Sequence, residues 1–312
     1  MNHIKGFVLK CLVAFSILAG IQNGYGQVLK MKYLGVAGWE MTDGETTILV
    51  DPYISRVKLQ GNPRFYGEGD TRSIFTGDDV YVSDTVAINK VITKADYILV
   101  HHSHVDHLAD VPYIAKKTGA VVIGTETSCT ILSAYGVPQK QLIRVKGGED
   151  YQFEKFSVRV VPSLHSALGD KRYFSSETYT DPEALKVPLK VNEFVEGGSL
   201  MFLVRFNSHK ILTFGSMNYI EREVAGLQPD VLLPGINLSR LEIYNYTERL
   251  LTLTGFPKTV IPTHWDNFRL PYGYSQKDPI EKKVMPFIDE VKAVSPETNV
   301  IIPRHLETIT IE

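Results

Sequence analysis

The sequence predicts a mixed α/β fold in which two sheets pack face to face with helices on the outside. Three observations lead there. Strand-like runs come first and strand–helix units follow, this order occurs twice along the chain, and no linker divides the two halves. Layers of this kind arise because a sheet must bury its apolar faces against other elements. With 312 residues, 44% hydrophobic and 22% charged, the chain has the composition of an ordinary globular protein. A net charge of −2 offers no footprint for a nucleic-acid partner.

Residues 1–26 stand apart from the rest. Lys5 and Lys10 precede the apolar run from Cys11 to Gly20, and small residues follow at Gly24 and Gly26. The pattern predicts a signal peptide cleaved near Gly26-Gln27, and hence a periplasmic or secreted protein. The apolar run falls short of the ~20 residues that a membrane-spanning helix needs, so no integral span is expected after its removal. Cleavage would remove Lys5 and Lys10 and no acidic residue, taking the net charge from −2 to −4. Cys11 and Cys129 are the only cysteines, so the remaining chain could form no internal disulfide. Cys129 lies beside Ile131 and Leu132 and reads as a small core residue.

Residues 27–312 read as a single domain. Strands are expected at 28–34, 36–41 and 46–50, with turns at Gly35 and Asp43-Gly44. An irregular insertion covers 55–93. A buried strand follows at 97–102. A helix runs from Asp110 to Thr118, with Pro112 in its first turn and Gly119 placed to cap its end. A strand at 120–124 and a helix at 126–135 complete this unit. Strands are expected again at 142–145, 151–153 and 156–162, followed by a second long insertion at 167–197. Such long irregular stretches usually carry function. Strands return at 199–206, 210–214 and 231–235. Ser239 and Glu242 form a capping-box pattern for a helix to Leu253, stopped by Gly255 and Pro257. A strand at 258–262 precedes a last helix opened by Asp278-Pro279, with Ile280, Val284, Phe287, Ile288 and Val291 on its inner face. One or two strands close the chain.

The most informative stretch is His101-His102-Ser103-His104-Val105-Asp106-His107, directly after the apolar strand. Imidazole and carboxylate are the preferred ligands of zinc and similar divalent ions. In an extended segment His102 and His104 point to one side because side chains alternate, and His101 points away from them. Asp106 and His107 follow where the chain leaves the strand, so one turn can serve two neighbouring metal positions. His165 follows the strand at 156–162 and His264 the strand at 258–262. All these candidates therefore lie just beyond strand ends, where open sheets gather their sites.

These residues resemble the metallo-β-lactamase superfamily. His102-x-His104-x-Asp106-His107 matches its signature, His165 its third block and His264 its last. The segment from Gly35 to Asp51-Pro52 is similar to its N-terminal hairpin, and the resemblance spans about residues 28–312. The texture around Asp51-Pro52-Tyr53 and Pro262-Thr263-His264-Trp265-Asp266 is similar to the branch that contains ascorbate-6-phosphate lactonase and N-acyl-phosphatidylethanolamine phospholipase D. The resemblance implies a four-layer αββα sandwich with the site at one edge. It implies that His102, His104 and His165 bind a first metal, and that Asp106, His107 and His264 bind a second. The family's bridging Asp, expected in a Gly-Asp pair, is replaced here by Ser216 in Gly215-Ser216-Met217-Asn218. A hydroxyl is a far weaker ligand than a carboxylate. The second position is thus expected to be weak, empty, or completed by a water held by Ser216 or Asn218. Asp51 and Asp266 are candidates for holding imidazole tautomers from behind.

The expected activity is metal-dependent hydrolysis of a small molecule at a lactone, ester, amide or phosphodiester bond, with β-lactams disfavoured. One or two zinc ions are expected, with manganese or iron as substitutes. A divalent ion lowers the pKa of its water from about 15.7 to about 7, giving a hydroxide that can attack, while Asp106 orients the water and shuttles its proton. A metal-binding protein with little catalysis is the alternative, and Ser216 is its sign. An iron-dependent oxidoreductase ranks last, because the chain carries neither a Cys cluster nor an electron-carrier domain. Trp265, Phe268, Tyr272 and Tyr274 either wall a pocket or pack the insertions down. Lys171, Arg172 and Arg269 either meet a phosphate or carboxylate or are plain surface charge. The oligomeric state is not legible.

Overall fold

The computed structural model describes residues 28–311 apart from residue 168. The expected signal peptide therefore lies outside the described residues. The chain opens with a meander of β1 (Leu29–Gly35), β2 (Gly38–Thr42) and β3 (Thr47–Val50). The insertion that follows contains a small pair, β4 (Lys58–Leu59) and β5 (Ile74–Phe75), and the helix α1 (Thr85–Val91). Next come β6 (Tyr97–Leu99), α2 (Val105–Leu108), α3 (Val111–Thr118), β7 (Val121–Gly124), α4 (Glu126–Ala134) and β8 (Leu142–Arg144). The second half runs β9 (Asp150–Gln152), β10 (Phe156–Pro162), β11 (Leu200–Phe206), β12 (His209–Phe214), α5 (Glu221–Val224), β13 (Val231–Leu233), α6 (Tyr246–Thr254) and β14 (Thr259–Val260). It closes with α7 (Lys277–Pro279), α8 (Met285–Val294), β15 (Asn299–Val300) and β16 (Thr308–Ile311).

These strands form two seven-stranded sheets in the orders β16-β1-β2-β3-β6-β7-β8 and β15-β14-β13-β12-β11-β10-β9. Each sheet is antiparallel on one side and parallel on the other, with the switch at β3 in the first and β12 in the second. Strand alternation decides what each residue touches. In β3, Ile48 and Val50 join Val158, Phe202 and Val204 of the other sheet in one apolar core, whereas Leu49 joins Ile98, Val122, Ile114 and Ile131 in a second core under α1 to α4. Leu250, Phe287 and Val291 of α6 and α8 cover the far side of the second sheet. The result is the expected four-layer αββα order.

Several expected elements end elsewhere. The strand expected over 97–102 stops at Leu99, because the His101 N–H donates to Asp51 Oδ1 at 2.9 Å instead of to a neighbouring strand. The helix expected from the Ser239 and Glu242 capping pattern does not start there. Leu238–Glu242 is a 3₁₀ turn, pinned because the buried Arg240 guanidinium reaches Glu290 of α8 at 2.7 and 2.9 Å. The helix then begins at Tyr246, after Asn245 in the left-handed region. The last helix is broken by a π-helical turn at Ile280–Val284. Pro286 has no N–H to offer the Lys282 carbonyl, which accounts for the widened turn before it.

One buried ion pair ties the ends of the chain together. Arg56 Nη2 donates to Asp266 Oδ2 at 2.7 Å, both side chains being sealed from solvent, and Arg56 Nε donates to the Leu270 carbonyl. Asp266 Oδ1 accepts from Val36 N at 2.9 Å and from Tyr33 at 3.1 Å, and His305 meets Oδ2 at 2.9 Å. Gly35 is required here, since its φ is +87° and a Cβ would lie 2.1 Å from Arg56 Nη1. Removing one partner strands a buried charge. Asp266→Ala is therefore expected to lower unfolding free energy by about 3–5 kcal/mol, with much of the loss recovered in the Arg56→Met/Asp266→Leu double variant. Denaturant unfolding of the three proteins measures this; equal losses for the single and double variants would contradict it.

Candidate metal centre

The strand ends deliver the histidines to one place. Adjacent C-terminal ends of β10 and β12 share an edge, as their pairings Pro162↔Leu200 and Met201↔Phe214 across β11 show. His165 follows β10, Gly215 and Ser216 follow β12, and His264 follows β14. The loop after β6 brings His102 and His104 to the same edge from the first sheet. His102, His104 and His165 form one group whose ligand atoms all lie within 4.8 Å of one another, and Asp106, His107 and His264 form a second. The rings of His102 and His107, one from each group, have centroids 3.9 Å apart. His102 and His104 converge through the turn, not through strand alternation, because the strand has already ended.

The electrostatics favour neutral imidazoles. Burial, reinforced by neighbouring histidines, holds His102 well below the ordinary imidazole range and His104 down at about 3. Burial likewise lowers His165 and His264 to about 4. His107 differs: burial disfavours its cation, but the Asp106 and Asp51 carboxylates outweigh burial and raise it. Burial also opposes ionisation of Asp106, yet His107, His264 and His104 draw its pKa below the carboxylate norm. Its Oδ2 sits 3.6 Å from His264 Nε2 and 3.7 Å from His107 Nε2.

A divalent ion fits these residues. Both ring nitrogens of His102 and Nε2 of His104 are buried and make no hydrogen bond, an arrangement that is expensive for a polar group unless a ligand takes the lone pair. His102, His104, His165 and His264 are held in the deprotonated form that coordinates. His107 Nδ1 donates to Asp51 Oδ2 at 2.6 Å, which leaves Nε2 with its lone pair toward Asp106 and His264. His165 Nδ1 similarly donates to the Ser166 carbonyl at 3.0 Å.

Asp51 does more than support His107. Its Oδ2 also accepts from His101 Nδ1 at 2.6 Å, and His101 Nε2 meets the Thr213 hydroxyl at 2.8 Å. Asp51, His101 and His107 form a third cluster with metal-like composition, but its contacts are hydrogen bonds that already occupy the carboxylate. His101, set aside in the sequence because it alternates away from His102, thus enters the site from behind. Its signal was the doubled His101-His102 and the Asp51-Pro52 turn. Gly215 is needed for this packing: a Cβ there would lie 2.2 Å from His101 Cβ.

The remaining candidates are placed less directly. Ser216 Oγ accepts from Ser166 N at 3.0 Å and lies 3.3 Å from Ser166 Oγ. Asn218 Oδ1 accepts from Tyr219 N at 2.9 Å. Neither side chain lines the cavity that opens over the histidines. Asp266 touches no ring of the two ligand groups; the imidazole it holds is that of His305. It acts on His264 through Val36, whose carbonyl accepts from His264 N at 2.5 Å.

That cavity has a volume of about 520 Å³ and is walled by both insertions, with Leu59 and Phe75 from the first and Phe174 and Phe194 from the second. Phe174 packs against His104, with ring centroids 5.4 Å apart. Of the four aromatic candidates, Phe268 reaches this cavity, whereas Trp265 is buried against Tyr33 and His305. Tyr272 packs on Arg56 and bonds the Leu34 carbonyl. Lys171 pairs with Glu242.

A two-sheet αββα sandwich whose strand ends carry a His-x-His-x-Asp-His turn and two further histidines is a metallo-β-lactamase-fold protein. The chain belongs to the β-lactamase superfamily, whose domain it matches over residues 30–264. It is similar to a UPF0173 metal-dependent hydrolase of Staphylococcus aureus, 26% identical over 253 residues, covering 78% of this chain and 99% of the relative. Among solved structures it resembles a metallo hydrolase from the archaeon Ignicoccus hospitalis, with a TM-score of 0.58 at 18% identity, covering 91% of this chain and 99% of the other. It also resembles an isothiocyanate hydrolase from Delia radicum gut bacteria, with a TM-score of 0.55 at 13% identity and coverages of 91% and 99%. Among the described residues no helix is long and apolar enough to cross a membrane.

Asp51→Asn keeps the side chain's shape but removes its charge and turns one acceptor into a donor facing two imidazole N–H groups. Divalent-metal affinity is expected to fall about 10–100-fold, measured by competition with a chelating dye. An unchanged affinity would mean that Asp51 serves packing alone.

Proposed function

We propose that this chain is a metal-dependent hydrolase acting on a small molecule at a lactone, ester, amide or phosphodiester bond. The carrying observation is the convergence of His102, His104 and His165 under an open cavity, with ring nitrogens of His102 and His104 buried and satisfied by no protein group. The similarity to a protein named a metal-dependent hydrolase supports the same reading. The branch similarity around Asp51-Pro52-Tyr53 and Pro262-Thr263-His264 favours a lactone or phosphodiester. The apolar segment in residues 1–26 supports export to the periplasm or beyond.

His102, His104 and His165 would hold one divalent ion, zinc being the best match to a three-histidine set with an open position. Asp106, His107 and His264 would hold a second. Manganese or iron would serve as substitutes. When bound, such ions polarise the scissile group and acidify water. The chain supplies the rest. Asp106, kept ionised by the surrounding histidines, accepts a hydrogen bond from the attacking water and takes its proton as the water oxygen bonds to the carbonyl or phosphoryl centre. The same proton then passes to the leaving oxygen or nitrogen as its bond breaks. Phe174, Phe194 and Leu59 exclude bulk water and seat the apolar part of the substrate.

A metal-binding protein with little catalysis is the second reading, and one observation favours it: Ser216 brings no carboxylate and is turned toward Ser166. The test is a panel of lactones, esters, amides and phosphodiesters assayed with metal content determined per chain. Turnover of at least one class is expected, with a fall of 100-fold or more in kcat/KM for Asp106→Asn, within the usual range for loss of a general base. Full metal loading with no turnover of any class would decide for the second reading.

A further inference from the structure

Beyond the histidine cavity lies a second one of about 690 Å³, and the two share a wall made by Asn237, Phe268 and Arg269. The second cavity is lined by Arg64 and Tyr66 from the first insertion and by Lys282 and Lys283 from the π-helical turn. No part of the hydrolytic reading uses it.

Its charges do not cancel. Of its acidic residues, Asp266 is taken by Arg56 and His305, Asp278 is paired with Lys282, and Glu68 stands at the exposed rim. Arg64, exposed over the Phe65 ring, makes no ion pair with any described residue, and two part-buried cations are left over besides it. The Arg269 guanidinium lies over the rings of Phe268 and Phe65, at 5.1 and 5.9 Å, and donates no side-chain hydrogen bond; its Nε is buried without a partner. Gly61 accommodates it, since a Cβ there would stand 3.2 Å from Nε. The Lys283 ammonium, half-buried, makes no hydrogen bond or ion pair with any described residue. Burial lowers Lys283 to about 8, with Arg269 adding to the fall and Asp266 and Asp278 opposing it, so it is still mostly protonated at neutral pH.

Two unpaired like charges facing one cavity repel each other, and their partial burial costs hydration. An oxyanion repays both terms: the flat guanidinium offers a fork of donors and the ammonium a point charge. The Phe268 and Phe65 rings pack against Arg269 and hold the fork in place, and the π-helical turn presents Lys283 to the cavity. Such turns are frequent at functional sites.

We infer that this second chamber binds a doubly charged oxyanion group of the substrate, phosphate above all, gripped by Arg269 and Lys283. The inference rests on the hydrolytic reading only in assigning the anion to a substrate. The molecule cleaved at the histidines would then extend past Phe268 and carry its dianion away from the scissile bond. Arg269, standing in both cavities, would select the substrate by charge while Asp106 handles the proton.

Calorimetric titration of the metal-loaded protein with inorganic phosphate, at neutral pH and low salt, tests the site without requiring turnover. Binding is expected to weaken about 10-fold or more in Arg269→Gln and in Lys283→Met, and to stay within 2-fold in His102→Ala. Acetate is expected to bind at least 10-fold more weakly than phosphate. Undetectable phosphate binding, unchanged affinity in both cation variants, or loss confined to His102→Ala would overturn the inference; acetate binding as tightly as phosphate would overturn the dianion assignment. A protein that binds phosphate in this way but hydrolyses nothing would refute the hydrolytic reading and leave this site standing.

Discussion

The site depends first on one buried carboxylate. Asp51 stands at the end of β3 with a φ of 38°, an unfavourable region for a residue with a side chain. The strain is offset by what the turn achieves. Its two oxygens take the His101 N–H, the His101 ring and the His107 ring. Burial alone would push such a carboxyl toward its neutral form, yet His101 and His107 hold it well below the ordinary carboxylate range. Three positions are thereby fixed at once: the end of the first sheet's meander, the start of the histidine loop, and the ring of a ligand candidate. Through His101 and Thr213 the same carboxylate also reaches the second sheet.

A second clamp, Arg56 with Asp266, works on the opposite flank of the cluster. It fixes the turn at Val36, and Val36 fixes His264, whose φ of 55° shows the same kind of local strain. Two buried carboxylates, one per flank, therefore aim imidazoles that they do not themselves share with the cavity. Buried charges of this sort contribute little net stability. Their effect is placement, and placement within a fraction of an ångström is what a metal or catalytic group requires.

The architecture was readable because each sheet repeats one pattern, antiparallel strands followed by parallel strands with helices, and because Gly119, Pro112 and Gly255 mark element ends. The opening histidine turn was readable for the same local reason: its residues lie within one short stretch. What was not readable involved partners far apart in sequence. Nothing near His101 shows that Asp51 and Thr213 enclose it, and nothing near Asp266 shows Arg56 or His305. Ser239 and Glu242 carry a good local helix-start signal, but Glu290, tens of residues away, claims Arg240 and delays the helix. Lys171 and Arg269 look alike as surface cations; only folding pairs the first and leaves the second against two aromatic rings.

The division of labour between strand ends and insertions bears on how such a molecule can diverge. The histidines and Asp106 sit on positions that the two sheets dictate, so they change only at the expense of the fold. Leu59 and Phe75 sit on the small β4–β5 pair and Phe174 and Phe194 on irregular segments, all in insertions outside the two sheets whose length is free to vary. Duplicated copies of the gene could therefore exchange their walls by insertion and deletion while inheriting the reactive floor unchanged. Lineages sharing this scaffold would then differ most in what they admit and least in what they do to it.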